Sequence, residues 1–556
     1  MSVKMKFNAS DMMDVDVAII GGGVSGIYSA WRLTVDGQHA SSRTPNVKVF
    51  EFGNRVGGRL ETILFSEAAE RRAEVGGMRF IPSWQKHISK LLEQLNLHND
   101  IIDFPMGDAH NLFFLRGESF RGQSFLYGTT PYRLRGSEQG LSPDELFVAI
   151  LNSLLMPVEQ KIEPVRDASG KVVGYRGPSR EEWDAFKKNP DFSFEGQPLV
   201  EQGFWNVLDR MLSPEAYKLL TDAGGYYTLT ANWNAAEAAA FIGLDFVGAE
   251  YKTLAKGYDS FVETMADAFT RAGGEIWGNS ELVKLDMDEQ TGKLKLHFRN
   301  REPNATRKTF EVFANKVILA MPRHGLERLE LHGTRFDLDA DTNTQQRQLL
   351  GSVMEMPAFK LFMVFKEAWW NRLSLTSGRS VSDLPIRQTY YFGTDSKDGH
   401  SLLMTSYNDA EAVSFWKGLR RERVTKPRYI SRNTVAEENR SPDTYEAPRE
   451  MIRRATSQLR DLHGIEVPEP IASCYKDWSE EPFGAGWFLW KAGEKTWELM
   501  PKARRPWSKE NVFVCGDCYS SLQGWVEGAL NTAELMLQEH FGMERPSWLK
   551  GVYLGF

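Results

Sequence analysis

Apolar positions along this chain fall into short near-continuous runs that alternate with longer stretches spaced every three or four residues. Val15-Asp-Val-Ala-Ile-Ile20 is a run of the first kind and predicts a buried strand of the parallel type. Ile27, Ala30, Trp31 and Thr34 follow with the spacing of one helix face. A second run, Val47-Lys-Val-Phe50, predicts another strand and ends at Glu51. The alternation recurs later. A helix from about Asp259 to Gly274 carries Phe261, Met265, Ala268 and Phe269 on one face. Strands are then expected at Ser280–Leu285, at its hairpin partner Leu294–Phe298, and at Lys316–Pro322. Asn511–Cys515 predicts a last strand, and Val526, Leu530, Ala533 and Leu537 mark the face of a last helix. One α/β layer is therefore expected to be assembled from three distant pieces of chain.

The segments between those pieces read differently. Residues 140–245 carry mainly helical patterns, including the alanine-rich Asn234–Ala240. Residues 352–410 carry strand patterns at Phe359–Phe365, Arg387–Phe392 and Leu402–Tyr407, and Arg420–Arg449 is polar enough for surface helix and loop.

The connection after the first strand is Gly21-Gly-Gly-Val-Ser-Gly26. A glycine turn between a strand and a helix, with an acid after the next strand, is the dinucleotide-binding fingerprint in its working context. Gly21 permits the tight turn, Gly23 admits a pyrophosphate close to the backbone, and Gly26 allows the helix to pack on the strand. Val24 and Ser25 open the helix, whose first N–H groups are free for phosphate. Glu51 suits the ribose hydroxyls and disfavours a 2′-phosphate. The polar stretch Asp36–Pro45 makes the spacing from Gly26 to Glu51 a little long, as an extended surface loop would. A second glycine turn, Arg55-Val-Gly-Gly-Arg59, comes at once, and its two guanidinium groups suit a second pass over the pyrophosphate. A nicotinamide fold has no need of it, so the pair of turns points to a flavin dinucleotide.

Composition narrows the classes. The 556 residues are 42% hydrophobic and 25% charged, as in globular proteins, and too long for a single core. Sixteen tryptophans and 33 phenylalanines suit burial of a large planar ligand. The net charge of −7, without a basic tract, argues against nucleic acid. Three cysteines, Cys474, Cys515 and Cys518, are too few for a disulfide framework and suit a reducing compartment. Cys515-Gly-Asp-Cys518 has redox spacing. It comes late in the chain, not at a helix start after a first strand, and reads as small residues in a tight buried turn. Neither a signal peptide at Met1–Met13, a membrane span nor a metal-ligand cluster is legible, so a cytoplasmic protein is expected. The sequons at Asn8 and Asn304 are treated as chance occurrences.

Two cations stand out. Lys360 lies inside Ala358-Phe-Lys-Leu-Phe-Met-Val-Phe365, where a charge costs several kcal/mol unless it is paired or used. Arg79 follows Gly76-Gly-Met78, and a planar fork of this kind suits two-point binding of a carboxylate.

With these residues in hand, the chain resembles the flavin-containing amine oxidases, and within them the L-amino acid oxidases. The motifs that carry the likeness are Gly21–Gly26, Arg55–Arg59, Glu74-Val-Gly-Gly-Met-Arg79, Lys360, and Gly516-Asp517 followed by Gly524-Trp-Val-Glu-Gly-Ala529. The resemblance implies an α/β protein with a Rossmann-like FAD-binding domain (residues 14–80, 249–330 and 506–545). A mixed-sheet substrate domain (81–139 and 331–505) and a mainly helical cap (140–248) would complete it. It implies that Gly76, Gly77 and Met78 border the flavin with Arg59, that the Val283 backbone holds the adenine edge, and that Asp517 meets the ribityl or pyrophosphate region. Trp525 and Val526 would line the isoalloxazine ring. Arg79 and Tyr407 would bind the substrate carboxylate, the Gly524 carbonyl the amine, and Trp233, Trp487 and Trp525 the pocket wall. Lys360 would sit near the flavin N5 and act in oxygen chemistry. Two departures matter: Met356 stands where some relatives have an arginine, and Glu481–Trp487 lacks the cysteine that some relatives bond to the flavin. FAD is therefore expected to be held noncovalently.

The implied reaction converts a free L-amino acid and oxygen to a 2-oxo acid, ammonia and hydrogen peroxide. An amino-acid 2-monooxygenase, a monoamine or polyamine oxidase and a flavin-bound scaffold without turnover stay open beside it. A homodimer or higher homo-oligomer is the expected assembly.

Overall fold

Three distant segments meet in one eight-stranded sheet. Its order is Met5–Lys6, Glu275–Trp277, Val47–Phe50, Met12–Ile20, Thr309–Leu319, Lys293–Asn300 and Ser280–Asp288, with Val512–Val514 added beside Thr309–Leu319. Met12–Ile20 pairs in parallel with Val47–Phe50 on one side and Thr309–Leu319 on the other. On its other edge, Thr309–Leu319 takes the antiparallel hairpin with its first half and the parallel strand Val512–Val514 with its last residues. The computed structural model describes residues 3–7, 12–36, 44–107, 110–168, 172–245, 249–302, 305, 308–420 and 444–556. The sequons, residues 37–43 of the polar loop and most of Arg420–Arg449 lie outside these.

The near-continuous apolar runs have a simple cause: both faces of the sheet are covered. Val17 and Ile19 pack into one core, and their neighbours Ala18 and Ile20 into another. The first core is closed by three helices, Val24–Trp31, Ser260–Arg271 and Val526–Phe541, each presenting the apolar face that its spacing predicts. Between two of these helices the Arg32 guanidinium donates to the Glu534 carboxylate at 2.9 Å, and Tyr28 donates to it at 2.7 Å. Burial of both partners makes this pair expensive to break singly.

A second eight-stranded sheet runs Thr444–Tyr445, Ala472–Asp477, Ala358–Phe365, Ser401–Asp409, Gln388–Thr394, Arg379–Ser382, Leu112–Leu115 and Glu118–Arg121. All its pairings are antiparallel except Arg379–Ser382 with Leu112–Leu115. The predicted strand at Arg387 begins one residue later, because Arg387 has a φ of +54° and cannot continue a pleat. The molecule is thus a mixed α/β protein with two mixed sheets.

Helices dominate residues 140–245, with Pro143–Leu155, Arg180–Lys188, Phe204–Met211, Pro214–Ala223 and Ala235–Asp245. Ser142 with Glu145, and Ser179 with Glu182, form capping boxes that start two of them. A hairpin, Glu163–Arg166 with Val172–Arg176, interrupts the helices and has no counterpart in the sequence reading. Among the described residues no helix is long and apolar enough to cross a membrane.

Candidate active site

The first glycine turn is built by exclusion. Gly21 has a φ of +108°, and a Cβ there would sit 2.4 Å from the Ala320 carbonyl oxygen. A Cβ on Gly26 would meet the Gly21 carbonyl oxygen at 2.0 Å, which is why helix and strand can approach so closely. The helix begins at Val24 with Gly23 as an N-cap that offers no side-chain acceptor, and its first turn has no acid. Its leading N–H groups remain for an anionic ligand.

The second glycine turn lies on the first, backbone against backbone. The Gly57 N–H donates to the Gly22 carbonyl at 2.9 Å, and a Cβ on Gly58 would reach within 3.0 Å of the Gly23 Cα. Its two arginines part company, which corrects the expectation that both face a pyrophosphate. Arg55 turns inward, donating to the carbonyls of Leu60 at 2.9 Å and Gly58 at 2.7 Å and pairing with Glu61 at 3.2 Å. It braces the turn from within. Arg59 stays on the cavity wall, ion-paired with Asp517 and donating to the Gly486 carbonyl at 2.9 Å. Asp517 also accepts from the Gly524 N–H at 3.1 Å. At the strand end, the Glu51 carboxylate accepts from the N–H groups of Gly22 at 2.6 Å and Gly53 at 2.8 Å, which locks it at the cavity edge.

These elements enclose one side of a cavity of about 400 Å³. The nucleotide-motif wall comprises Gly21, Gly23, Val24, Ser25, Glu51 and Arg59, and Val283 continues it. Val283 sits at a bulge between Leu282 and Lys284, with its carbonyl taken by the Glu330 N–H at 2.8 Å. Gly76, Gly77, Met78 and Arg79 form a second wall, and Gly516, Asp517, Gly524, Trp525 and Val526 a third. Trp487 closes in on Gly524, where a Cβ would meet its own at 3.2 Å. Gly26 does not line the cavity; its part is helix packing. Trp233 is a correction to the expected pocket wall. It is buried behind the cavity with its ring against Phe241, and Phe241 is the residue that lines it.

Lys360 lies on a strand paired on both sides, so it has no route to solvent. Its ammonium donates to the carbonyls of Glu74 at 2.9 Å and Gly76 at 2.5 Å, and rests 4.5 Å from the Tyr407 ring centroid. Burial, opposed in part by the Glu74 carboxyl, brings its pKa down to about 7. The neutral amine still has two N–H donors for the two carbonyls, with its lone pair left over.

Arg79 is buried among aromatic rings. Its guanidinium lies 4.3 Å from the Tyr251 centroid and 5.4 Å from that of Phe104, and Nη1 donates to the Tyr390 hydroxyl at 3.2 Å. Among the described residues no carboxylate is in ion-pair contact with it, so it is not a domain-anchoring salt bridge. The Tyr226 ring meets that of Tyr407 at 5.1 Å, edge to face, and both line the cavity. Asp245 also lines the cavity, accepting from the Tyr251 hydroxyl at 2.9 Å, and burial, opposed in part by Arg79, raises its carboxyl to about 6. Tyr390, Tyr226 and Asp245 were missed by sequence reasoning. Tyr390 left one signal: in the predicted strand it shares a face with Gln388, two positions earlier.

Cys515 and Cys518 are free, buried and on the cavity wall. Burial pushes the Cys515 thiol up to about 12 and raises that of Cys518 as well, so both are poor nucleophiles, in keeping with a tight buried turn.

Comparison with known families decides the class. The family model described as "Flavin containing amine oxidoreductase" matches residues 24–426 and 434–536. The chain belongs to this family of flavin amine oxidoreductases. Aplysianin-A of Aplysia kurodai is 27% identical over 95% of this chain and 90% of its own length. Achacin of Lissachatina fulica is 26% identical over 95% and 93%. L-amino-acid oxidase 4 of Hebeloma cylindrosporum is 22% identical over 93% and 80%. Putrescine oxidase, solved with putrescine bound, superposes with a TM-score of 0.62 at 18% identity, covering 96% of this chain and 100% of its own, and shares the fold.

A flavin amine oxidoreductase needs a cradle for its cofactor, and these residues fit one. The stacked glycine turns leave backbone where side chains would intrude, the uncapped helix start faces the cavity, and Glu51 is fixed at the strand end. Val526–Phe541 brings a second helix N-terminus to the cavity; its first-turn acid, Glu527, turns aside to accept the N–H groups of His87 and Ile88, each at 2.9 Å.

Proposed function

We propose that this protein is an FAD-dependent L-amino acid oxidase that converts a free L-amino acid, oxygen and water to a 2-oxo acid, ammonia and hydrogen peroxide. The observation that carries the reading is Arg79: a buried planar cation on the cavity wall, held by rings, a hydroxyl and the Met106 sulfur, and among the described residues in ion-pair contact with no acid, the nearest influence being the buried Asp245 carboxyl. A planar fork on a cavity wall suits two-point binding of a carboxylate. The relatives named as L-amino-acid oxidases support the choice.

The bound FAD supplies the hydride acceptor. The chain supplies orientation. Arg79 and Tyr407 take the α-carboxylate, the Gly524 carbonyl accepts from the amine, and Trp487 and Trp525 confine the rest of the substrate. Fixing three points on one carbon removes most of the freedom that a reaction in solution must lose. Lys360 is the group placed to hold or release a proton at Nζ while oxygen is consumed. The FAD is held without a covalent bond, because the cavity thiols are Cys515 and Cys518, whose pKa values burial raises. The segments that share the first sheet act as the FAD-binding domain, the second sheet as the substrate domain and residues 140–248 as the cap. The working assembly is a homo-oligomer.

A panel of the twenty L-amino acids, assayed for peroxide, 2-oxo acid and carbon dioxide beside their decarboxylated amines, tests this. Peroxide and 2-oxo acid in equal amounts, with idle amines, is the expected result. Carbon dioxide with an amide product would make it a monooxygenase, and equal turnover of the amines would make it an amine oxidase.

A further inference from the structure

Arg79 ends a chain of hydrogen bonds that runs back through two side chains to a second cation. Nη1 donates to the Tyr390 oxygen at 3.2 Å. The Tyr390 hydroxyl donates to Gln388 Oε1 at 3.0 Å, and that same oxygen accepts from Arg379 Nη1 at 2.7 Å. Gln388 Nε2 donates to the Gly225 carbonyl at 3.1 Å. Guanidinium groups can only donate, so the direction of each bond in this chain is fixed. Tyr390 must accept from Arg79, its own proton has a nearer acceptor in Gln388 Oε1 at 3.0 Å than in the Met106 sulfur at 3.9 Å, and the amide of Gln388 cannot be flipped without breaking three bonds.

The chain is rigid for reasons of packing as well. Gln388 and Tyr390 are fully buried on one face of a strand inside the mixed sheet. Gly225 has a φ of +85°, and a Cβ there would meet Gln388 Cγ at 2.8 Å, so only glycine lets the carbonyl come so close. The next residue, Tyr226, lines the cavity against Tyr407. One strand therefore sets the position of Arg79 directly and that of Tyr226 through Gly225. Arg379 adds a second positive charge behind the first, and burial alone would raise the Tyr390 phenol, yet the two guanidinium groups draw it below its ordinary value.

We propose that Tyr390 and Gln388 are positioning residues: they hold the Arg79 fork in the orientation that receives a carboxylate, with Arg379 anchoring the far end of the chain. This rests on Arg79 as the carboxylate-binding residue. Tyr390→Phe removes one bond and leaves the ring. Gln388→Glu keeps the acceptor and the shape, loses the donor to Gly225, and places a negative charge between the two arginines.

The test uses the FAD-loaded enzyme and benzoate, a carboxylate without an amine, titrated by its perturbation of the flavin absorption spectrum. KM and kcat for the best amino acid are measured in parallel, with Arg79→Lys as reference. The Tyr390 bond orients Arg79 and does not itself touch the ligand, so only part of what a hydrogen bond to a charged group contributes is lost, and both benzoate Kd and KM should rise about 5- to 30-fold in Tyr390→Phe, with kcat changed less. Gln388→Glu should weaken benzoate in the same direction, since its charge competes for Arg79. If both variants bind benzoate like the parent while Arg79→Lys does not, the chain is passive packing and the inference is overturned. If Arg79→Lys itself retains benzoate affinity and turnover, the carboxylate reading fails at its root. A Tyr390→Phe protein that fails to fold leaves the isosteric Gln388→Glu to decide.

Discussion

Lys360 and Tyr407 stand directly opposite each other on the two antiparallel strands at the heart of the mixed sheet, with the lysine ammonium over the tyrosine ring. On its other side Lys360 is in register with Lys476, which pairs at 3.2 Å with Glu61, the carboxylate it shares with Arg55. Two buried lysines side by side are thus treated differently: one is given an acid, the other two carbonyls and a ring. Only the one without an acid faces the cavity. A lysine kept near its titration point at a cavity wall is equipped to move a proton, whereas an ion-paired one is equipped to hold structure.

Lys360→Met should therefore slow the half of the turnover that consumes oxygen by about tenfold or more, and the half that consumes amino acid far less. Rapid-mixing measurements of the two halves separate them. Equal losses in both, or none, would make Lys360 a structural residue.

Acid or heat should release all the cofactor from the yellow protein as FAD. The Glu481–Trp487 segment has no cysteine, and burial raises the pKa of both cavity thiols. Flavin that stays with the precipitated chain would contradict this.

Stability should fall as pH rises through a buried pair of acids. The Thr62 hydroxyl lies 3.0 Å from a Glu74 oxygen and 2.8 Å from an Asp259 oxygen. It has one proton to donate, so one of the two carboxyls must keep its own. Burial, then the Asp259 charge, raises Glu74 from its ordinary 4.5 to about 8. Between those values the folded state holds a proton that the unfolded chain has lost, so stability declines across roughly pH 4.5 to 8, and below that window the effect vanishes. Lys360 acts in the opposite sense, its depressed pKa favouring the folded state as pH climbs above about 7. In Glu74→Gln the difference in Tm between pH 5.5 and 8 should shift toward greater stability at the higher pH. An unchanged difference would show that Glu74 is ionised throughout.

Much of this was legible in the sequence, and the reasons differ by feature. The glycine turns and flanking strands could be read because their constraints are local: Gly21 and Gly26 are forced by contacts within a few residues or with the adjacent strand. Lys360 could be read because a charge in an apolar run demands an explanation. Arg55 could not be told from Arg59, because their difference depends on Glu61 and Asp517, set by how the turn folds and by a segment some 460 residues away. Trp233 looked like Trp487 in composition, and only the packing of the helical region puts Phe241 in front of it. Tyr390 and Gln388 were hidden for the same reason: an alternating strand shows which residues share a face, not which arginine that face will meet.

The decisive variant is Arg79→Lys. If the Arg79 fork takes the substrate carboxylate at two points, an ammonium cannot replace it, since its donors do not lie in one plane. Hydrogen bonds to charged groups contribute about 1.5–3 kcal/mol, so kcat/KM for the best amino acid should fall about 10- to 150-fold. Any activity on the matching decarboxylated amine should not fall in parallel, because that molecule gives Arg79 nothing to bind. FAD content is the control, as Arg79 packs against Tyr251 and Phe104 and its loss could loosen the cavity wall. A variant that keeps its FAD and loses only amino-acid turnover supports the assignment. One with full activity would mean that the carboxylate binds elsewhere. One that loses FAD and both activities together would mean that Arg79 is a wall residue, and the amine-oxidase alternative would then be the better description of the site.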